Sequence, residues 1–144
     1  MRRDFEIKSG IYLVQPPHEL DLHNAFDFLG LHYSVADRTL LLQWRRSERE
    51  GVPPSRPRSV AIEFRGVTEF LFRPRDPRFP FTEDDCLSTF GYWSNEEWAD
   101  GVTDGVIICP PPQVPDASWL TAIAFMSGAV IAVQADSTHA TITA

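Results

Sequence analysis

The sequence predicts a mainly β protein, built as an antiparallel β-sandwich or a partly closed barrel of about seven or eight strands with one or two short helices. Apolar residues alternate with polar ones along most of the chain, which is typical of half-buried strands. Three proline-rich segments, 51–58, 73–80 and 109–115, exclude regular helix where they occur. The length of 144 residues fits a single domain that spans residues 1–144.

The first predicted hairpin lies between residues 29 and 46, with a turn at residues 36–37. Each of its two strands has one apolar face, and we expect both faces to point into the core. The first strand carries Leu29, Leu31, Tyr33 and Val35 on that face, and the second carries Leu40, Leu42 and Trp44.

The strands that follow show the same alternation. A third strand places Val60, Ile62 and Phe64 on one face, and Phe70 and Phe72 repeat the pattern after Gly66. Later strands are predicted at residues 105–109, 119–126, 129–135 and 138–143. Residues 127–128 are expected to form the tight turn between the second and third of these.

Two short helical turns are predicted in the middle of the chain. Residues 82–85 and 94–97 follow the Ser/Thr-x-x-acid pattern with which helices often begin. Acidic side chains at such a start lie near the positive end of the helix dipole. Glu83, Asp84 and Asp85 are therefore interpreted as helix-start residues, and alternatively as part of an acidic partner surface.

All the positive charge of the chain lies in its first 78 residues. Those residues contain thirteen basic and eleven acidic side chains, a net charge of +2. Residues 79–144 contain nine acidic side chains and no lysine or arginine, a net charge of −9. A surface of one sign attracts a cationic partner and repels polyanions, so we expect a basic protein as partner and no nucleic acid.

No targeting or membrane segment is evident in the sequence. The basic start at residues 1–8 is not followed by an apolar run of signal-peptide length, and the longest apolar stretch, residues 119–133, is too short to cross a bilayer. We expect a cytoplasmic protein with no membrane association. Its two cysteines, Cys86 and Cys109, are then expected to be reduced and buried.

Few residues suggest a metal site or a catalytic nucleophile. His18, Asp21 and His23 are the candidate metal ligands, but the histidines are five residues apart rather than four, and Pro16 and Pro17 suggest a loop there. Hydrogen-bonded or solvated side chains are the alternative. A catalytic thiol–imidazole pair could combine His139 with either Cys86 or Cys109. No motif in the sequence indicates a cofactor. We therefore expect neither a cofactor nor enzymatic activity.

The most distinctive surface candidate is the stretch from residue 90 to residue 104, where aromatic side chains lie among acidic ones. Large aromatics dominate interface hot spots, and clustered carboxylates speed association with a basic partner. The alternative is that the tryptophans close one end of the core and the acids form its solvated rim. The predicted partner surface comprises Glu83, Asp84, Asp85, Tyr92, Trp93, Glu96, Glu97, Trp98, Asp100 and Asp104.

The order of parts resembles that of small bacterial immunity-type proteins and neighbouring uncharacterised β-sandwich families. Leu22-His-Asn-Ala-Phe26 precedes the hairpin at 29–46, the strand Arg-x-Val-x-Ile-x-Phe-x-Gly-Val at 58–67, an acidic connection and a final hairpin. The resemblance implies a bacterial protein that neutralises a toxin by occupying its active site, with no catalytic residues of its own. This chain has His23-Asn24 where such layouts have His followed by Asp.

The function predicted from these observations is non-enzymatic binding of a basic protein, an immunity-type role, through the acidic C-terminal half. One alternative is a β-barrel that binds a small molecule in an aromatic pocket or a metal at His18, Asp21 and His23. Another is a homodimer that pairs through the strand at residues 119–126, because exposed edge strands associate readily.

Overall fold

The protein is mainly β. Its computed structural model describes residues 1–93, 106–107 and 119–144, and gives only the backbone of residues 106–107. These residues form thirteen strands and a single 3-10 turn at Phe81–Glu83. The strands are β1 (Arg2–Arg3), β2 (Glu6–Lys8), β3 (Tyr12–Gln15), β4 (His18–Asp21), β5 (Phe26–Ser34), β6 (Thr39–Arg46), β7 (Ser59–Arg65), β8 (Glu69–Arg73), β9 (Leu87–Trp93), β10 (Val106–Ile107), β11 (Leu120–Phe125), β12 (Val130–Gln134) and β13 (Ser137–Thr143).

Three sheets are formed by these strands, and over the described ranges none of them closes into a barrel. The first sheet has the strand order β1-β13-β7-β6-β5, and the second has the order β10-β9-β11-β12-β8. A small third sheet has the order β2-β3-β4. All neighbours are antiparallel except β1 and β13, which are parallel. The predicted mainly β class is confirmed.

The predicted count of seven or eight strands is too low, chiefly because residues 2–21 contain four strands of two to four residues. A period-two pattern cannot be recognised over such short segments. Pro16 and Pro17, which suggest a loop, occupy the turn between Gln15 and His18, where no ladder donor is required. The helix predicted at 82–85 is replaced by the 3-10 turn, and that predicted at 94–97 lies outside the described residues.

One pair of strands continues from the first sheet into the second. β7 pairs with β13 in the first sheet, and their extensions β8 and β12 pair in the second. At the corner, the Asp136 amide donates to the Arg65 carbonyl at 3.0 Å, and the Thr68 amide donates to the Gln134 carbonyl at 2.9 Å. Gly66 occupies this corner with φ +67, a conformation that favours glycine. The two five-stranded sheets are therefore joined by backbone hydrogen bonds.

The core lies between the sheets and is rich in aromatic rings. Predicted core residues Leu40, Leu42 and Trp44 of β6 and Val60, Ile62 and Phe64 of β7 are all buried, which confirms both alternations. Phe28 of β5 connects the sheets, because its ring lies 5.0 Å from that of Trp44 and 4.6 Å from that of Phe125. Phe28 is itself only partly buried, whereas fully burying a ring such as Phe64 contributes about 1.5–3 kcal/mol.

The predicted face of β5 is partly wrong. Leu31 and Tyr33 lie opposite Leu42 and Leu40, as expected, but Leu31 is still 37% exposed. Leu29 is 56% exposed and has no partner in the ladder. The cause is a β-bulge: Phe28 pairs with Trp44 and Gly30 with Gln43, so Leu29 is an extra residue between two ladder positions. Val35 is also exposed, because β5 ends at Ser34.

The second half of the chain follows the predicted strand pattern except at β9, which was not predicted from the sequence. β11 and β12 form the expected hairpin, with Gly128 at φ +83 in its turn. β13 is the expected last strand. β10 lies within the strand predicted at 105–109. Among the described residues, no helix has the length and apolar character needed to cross a membrane.

The corner glycine allows a direct test of the junction between the sheets. A Cβ at Gly66 would overlap the Asp136 carboxyl group, with Cγ only 2.6 Å away. Gly66→Ala is therefore expected to lower the free energy of unfolding by about 2–3 kcal/mol, since it combines a positive φ with a steric overlap. Urea titration followed by tryptophan fluorescence measures the change.

Gly51→Ala is the matched control for this substitution. Gly51 also has a positive φ of +91, but nothing lies within 4 Å of the position that a Cβ would occupy there. The control is expected to cost about 1 kcal/mol, and Gly66→Ala combined with Asp136→Ala should approach that value. Equal costs at Gly66 and Gly51 would show that Asp136 moves aside freely and that the corner is not tightly packed.

Candidate functional site

The two predicted interface aromatics that the structure describes, Tyr92 and Trp93, lie at the end of β9. Both are half-buried. Tyr92 lies opposite Thr121 of β11, and Trp93 packs against a small buried cluster of Leu120, Ala122 and Ala132. The guanidinium carbon of Arg73 lies 5.4 Å from the Trp93 ring centroid. For Trp93 these contacts favour a packing role. Glu96, Glu97, Trp98, Asp100 and Asp104 lie outside the described residues, as does Cys109.

The acidic cluster at residues 83–85 does not cap a helix. Pro80 precedes the 3-10 turn and no side chain caps it. Instead, two of the acids pair with arginines: Arg75, nine residues earlier, donates to Asp84 at 2.8 Å, and the more distant Arg49 lies 3.4 Å from Asp85. The helix-start interpretation is therefore wrong, because this segment forms only a 3-10 turn and its acids pair with arginine side chains instead.

A cluster of exposed apolar side chains lies beside this acidic segment. We call Phe72, Phe79, Phe81 and Met126 the aromatic patch. Phe81 is 80% exposed and Phe72 is 52% exposed, whereas Phe79 and Met126 are exposed to a smaller extent. The Asp76 amide donates to the Ser127 carbonyl at 2.8 Å, which holds the segment containing Phe79 against the β11–β12 turn. Exposed apolar clusters of this kind mark interaction sites.

The arginines around the aromatic patch are already paired within the protein. Arg75 binds Asp84, donates to the Phe79 carbonyl at 2.5 Å and lies over the Phe81 ring at 4.4 Å. Arg78 binds Asp76 at 2.6 Å. Hydrogen bonds from the Arg78 side chain and amide lower the pKa of Asp76 to about 2. The positive charge at the patch is thus locally neutralised.

An open cavity of about 330 Å³ lies next to the patch, at the edge of the second sheet. Its walls come from both five-stranded sheets: Phe28 belongs to β5 of the first, and Phe72, Phe125 and Ile131 belong to the second. Phe72 lies opposite the buried Ile131 in the ladder, so it faces the core as the alternation predicts. It remains half exposed at the cavity. The sequence carries no signal for this opening.

A larger cavity of about 750 Å³ lies on the other side of Phe125 and Pro74, two residues that line both. Its walls include Phe79 and Met126 of the aromatic patch, together with Asp76, Arg78 and Ser88. The patch and the two cavities therefore occupy one continuous region of the surface.

The predicted metal ligands are not brought together. His18 is exposed on β4, where it lines a shallow cavity with Arg46 and Ile142. Asp21 accepts the amides of His23 at 3.0 Å and Asn24 at 2.8 Å, so its carboxylate holds a turn. His23 contacts Leu87 through Nδ1. Among the described residues, no three His, Cys, Asp or Glu side chains are placed to hold a metal.

Cys86 lies near His23 rather than near His139. The distance from Cys86 Sγ to His23 Nδ1 is 3.7 Å, but Nδ1 also contacts the Leu87 carbonyl, which can only accept a hydrogen bond. Nδ1 therefore carries the proton and cannot act as a base toward the thiol. Cys86 is only partly buried, not fully buried as predicted. Its partial burial raises the pKa of the thiol, although Arg49 opposes the shift. The pair is not an activated nucleophile.

Ser137, His139 and Asp4 form a chain of hydrogen bonds that the sequence did not suggest. His139 Nε2 lies 3.1 Å from Ser137 Oγ, and His139 Nδ1 lies 3.3 Å from Asp4 Oδ2. The side chains of His139 and Asp4 are 38% and 42% exposed. A serine nucleophile would need backbone amides beside it to stabilise an oxyanion. β13 lies between β1 and β7, so its amides lie in the plane of the sheet and do not form such a site above Ser137.

Asp4 and Gln15 instead extend the ladder beyond the end of β1. Asp4 Oδ1 accepts the Ala140 amide at 2.9 Å, and Gln15 Nε2 donates to the Ala140 carbonyl at 3.2 Å. These side chains satisfy the backbone groups of β13 that β1 is too short to reach. We therefore interpret the Ser137–His139–Asp4 chain as a structural connection between the N-terminal segment and β13.

The strand predicted as a dimer edge is interior. β11, within residues 119–126, pairs with β9 on one side and β12 on the other. Its backbone groups are used within the sheet, and no edge remains for a second copy. That mode of dimerisation is therefore wrong.

The reactivity of Cys86 tests its environment. In a Cys109→Ser background, alkylation by iodoacetamide at pH 7.5 should be slower than that of free cysteine, because the raised pKa leaves less thiolate. The rate should continue to rise with pH above about 8.5, the ordinary thiol value. Arg49→Met is expected to slow the reaction further, whereas Arg45→Met is a remote control. A rate equal to that of free cysteine would contradict the inferred burial effect.

The aromatic patch, its adjoining cavities and the acidic residues that begin at Glu83 are together the candidate functional site of the described chain. The patch offers apolar contact area, and the open cavity beside Phe72 offers a concave apolar surface. Neither holds an activated nucleophile. Comparison of the chain with protein-family models, curated proteins and solved structures gave no match.

Proposed function

We propose that this protein is a non-enzymatic binding protein whose partner is a basic protein. The observation that carries the proposal is the aromatic patch together with residues 79–144. Two of the patch residues, Phe79 and Phe81, stand at the start of that stretch, which contains no lysine or arginine. Residues 79–144 carry nine acidic side chains and no lysine or arginine. The patch supplies contact area. Asp84 and Asp85 are paired with arginines, so the negative charge comes from the other acids of this half.

The aromatic patch supports the protein-binding part of the proposal. Pro74, Pro77 and Pro80 restrict the backbone of the segment that carries Phe79 and Phe81. Less conformational entropy is lost when a restricted segment docks. Aromatic anchors near the centre of an interface also account for much of its binding energy. Phe81 is the most exposed member and is the expected anchor.

Charge supports the choice of a basic partner. The arginines nearest the patch pair with Asp76 and Asp84, so they leave little free positive charge. Glu96, Glu97, Asp100 and Asp104 add four negative charges within the same acidic half. Long-range attraction of this kind raises the association rate with a basic protein and weakens as salt is added.

The resemblance in layout to small bacterial immunity-type proteins supports a more specific proposal. The partner would be a basic toxin, and binding in the bacterial cytoplasm would block its active site. The two five-stranded sheets would stack as a sandwich-like scaffold, supported by ring contacts between them such as Tyr33 with Phe70 at 5.4 Å. Such a role needs no cofactor.

A small-molecule function is the second candidate, and the cavity lined by Phe28, Phe72 and Phe125 favours it. This cavity is not the interior of a β-barrel, because the described sheets are open. It lies between the sheets at an open edge. Small-molecule binding and protein binding use adjoining surfaces and can be tested separately.

Charge reversal tests the electrostatic part of the proposal. Basic proteins encoded by genes adjacent to this one are produced separately, and their Kd is measured by biolayer interferometry at 50 and 500 mM salt. Binding should weaken at high salt. Replacing Glu96, Glu97, Asp100 and Asp104 together with lysine should weaken it at least tenfold, because attraction becomes repulsion.

The matched control replaces four exposed acids of the basic half, Glu6, Glu19, Glu48 and Glu50, with lysine. It changes the net charge by the same amount, and we expect Kd to stay within about threefold of the unmodified protein. Equal loss in both variants would reject a localised acidic surface. Absence of binding by every basic adjacent gene product would reject the proposed partner.

Removal of the expected anchor tests the apolar part. Phe81→Ser should weaken the same complex by about thirtyfold, mostly through faster dissociation, because a hot-spot aromatic is lost. Val35→Ser is the control, since Val35 is similarly exposed but lies outside the patch. Neither variant should change the melting temperature appreciably. Unchanged affinity for Phe81→Ser would remove the aromatic patch from the interface.

A further inference from the structure

We propose that the cavity between the edges of the two five-stranded sheets binds a neutral aromatic molecule of about two fused rings that carries one hydroxyl or carbonyl group. This inference goes beyond protein binding and does not depend on it. It is based on the volume of the cavity, on its aromatic walls, and on a hydroxyl group among its lining residues that has no partner in the protein.

The walls determine the chemical class of the ligand. Phe28, Phe72 and Phe125 contribute rings, and Ile131, Ala129 and Pro74 contribute aliphatic surface. Aromatic rings pack well against one another in offset or edge-to-face arrangements, which favours a flat aromatic ligand. The Phe28 and Phe125 rings are already in contact at 4.6 Å, so this side of the cavity is formed before any ligand enters.

The volume limits the size of the ligand. About 330 Å³ lies at the lower end of the range for small-molecule sites. A buried apolar cavity of about 150 Å³ accepts a single benzene ring. A space about twice as large suits two fused rings, while the open mouth accommodates a substituent. A long lipid chain or a dinucleotide would not fit within the walls.

Ser127 is the residue of the cavity wall that we expect to contact the hydroxyl or carbonyl group of the ligand. It is fully buried, it lines the cavity, and its Oγ has no hydrogen-bond partner in the protein. A buried hydroxyl without a partner is unfavourable, so a ligand oxygen that exchanges a hydrogen bond with it is stabilised. The other polar residues of the wall, Arg75 and Asp84, are paired with each other at 2.8 Å. A charged group on the ligand is therefore not required.

The position of Ser127 follows from the hairpin turn. Gly128 at φ +83 allows the tight reversal between β11 and β12, and the Ser127 carbonyl is held by the Asp76 amide at 2.8 Å. The serine backbone is thus fixed on both sides. A hydroxyl on a fixed backbone can select a ligand by geometry, because it does not have to be ordered when the ligand binds.

A matched pair of ligands tests the proposal: 2-naphthol carries a hydroxyl, and naphthalene has the same rings without one. Each is titrated into the full-length protein while amide and methyl chemical shifts are followed by NMR. We expect both to shift Ser127, Ala129 and Ile131, and 2-naphthol to bind about fivefold or more tightly than naphthalene. Ser127→Ala should remove that difference and leave naphthalene binding unchanged.

Two further variants control for indirect effects. Ala129→Leu should fill the cavity and abolish binding of both molecules, whereas Ser88→Ala, in the neighbouring cavity, should change neither. Circular dichroism confirms that each variant is folded. No binding, shifts confined to another region, or equal weakening of both molecules by Ser127→Ala would overturn the proposal. A failure to bind any basic protein would not affect the proposal for this cavity, so each proposal can be rejected independently of the other.

Discussion

The strand pair that passes through the Gly66 corner is the constraint on which the rest of the structure depends. The same two chain segments pair in both five-stranded sheets, so the sheets are held together by backbone hydrogen bonds as well as by side-chain packing. The close approach of Asp136 to Gly66 excludes a Cβ at that point. Because the corner sets how β7 continues into β8, it also determines where the edge strand β8 lies.

The position of β8 explains why aromatic residues that mostly face the core also contribute to an exposed site. Phe70 and Phe72 both face the core, and Phe70 packs on Tyr33 at 5.4 Å. Phe72 lies farther along the edge, where the cavity leaves it half exposed. The proline-rich segment then continues from β8 and presents Phe79 and Phe81. The aromatic patch and the cavity are thus two consequences of one strand edge.

Arrangements that resemble catalytic sites have structural explanations in this protein. The proton on His23 is directed at the Leu87 carbonyl, and burial keeps the Cys86 thiol neutral. Asp4 satisfies the Ala140 amide while it contacts His139. Within the described residues, the surfaces best suited to function are apolar and acidic ones. These surfaces are the basis of the binding function that we propose.

The sequence by itself determined the strands with clear alternation, β6, β7 and the β11–β12 hairpin, because period-two burial of residues such as Trp44 and Ile62 is a local property. It also determined the charge division at residue 78. Only the tertiary structure decided the bulge at Leu29, the pairing of Asp85 with Arg49, and the exposure of Phe72. Each of these depends on how separate segments of the chain pack together, and local spacing carries no information about such packing.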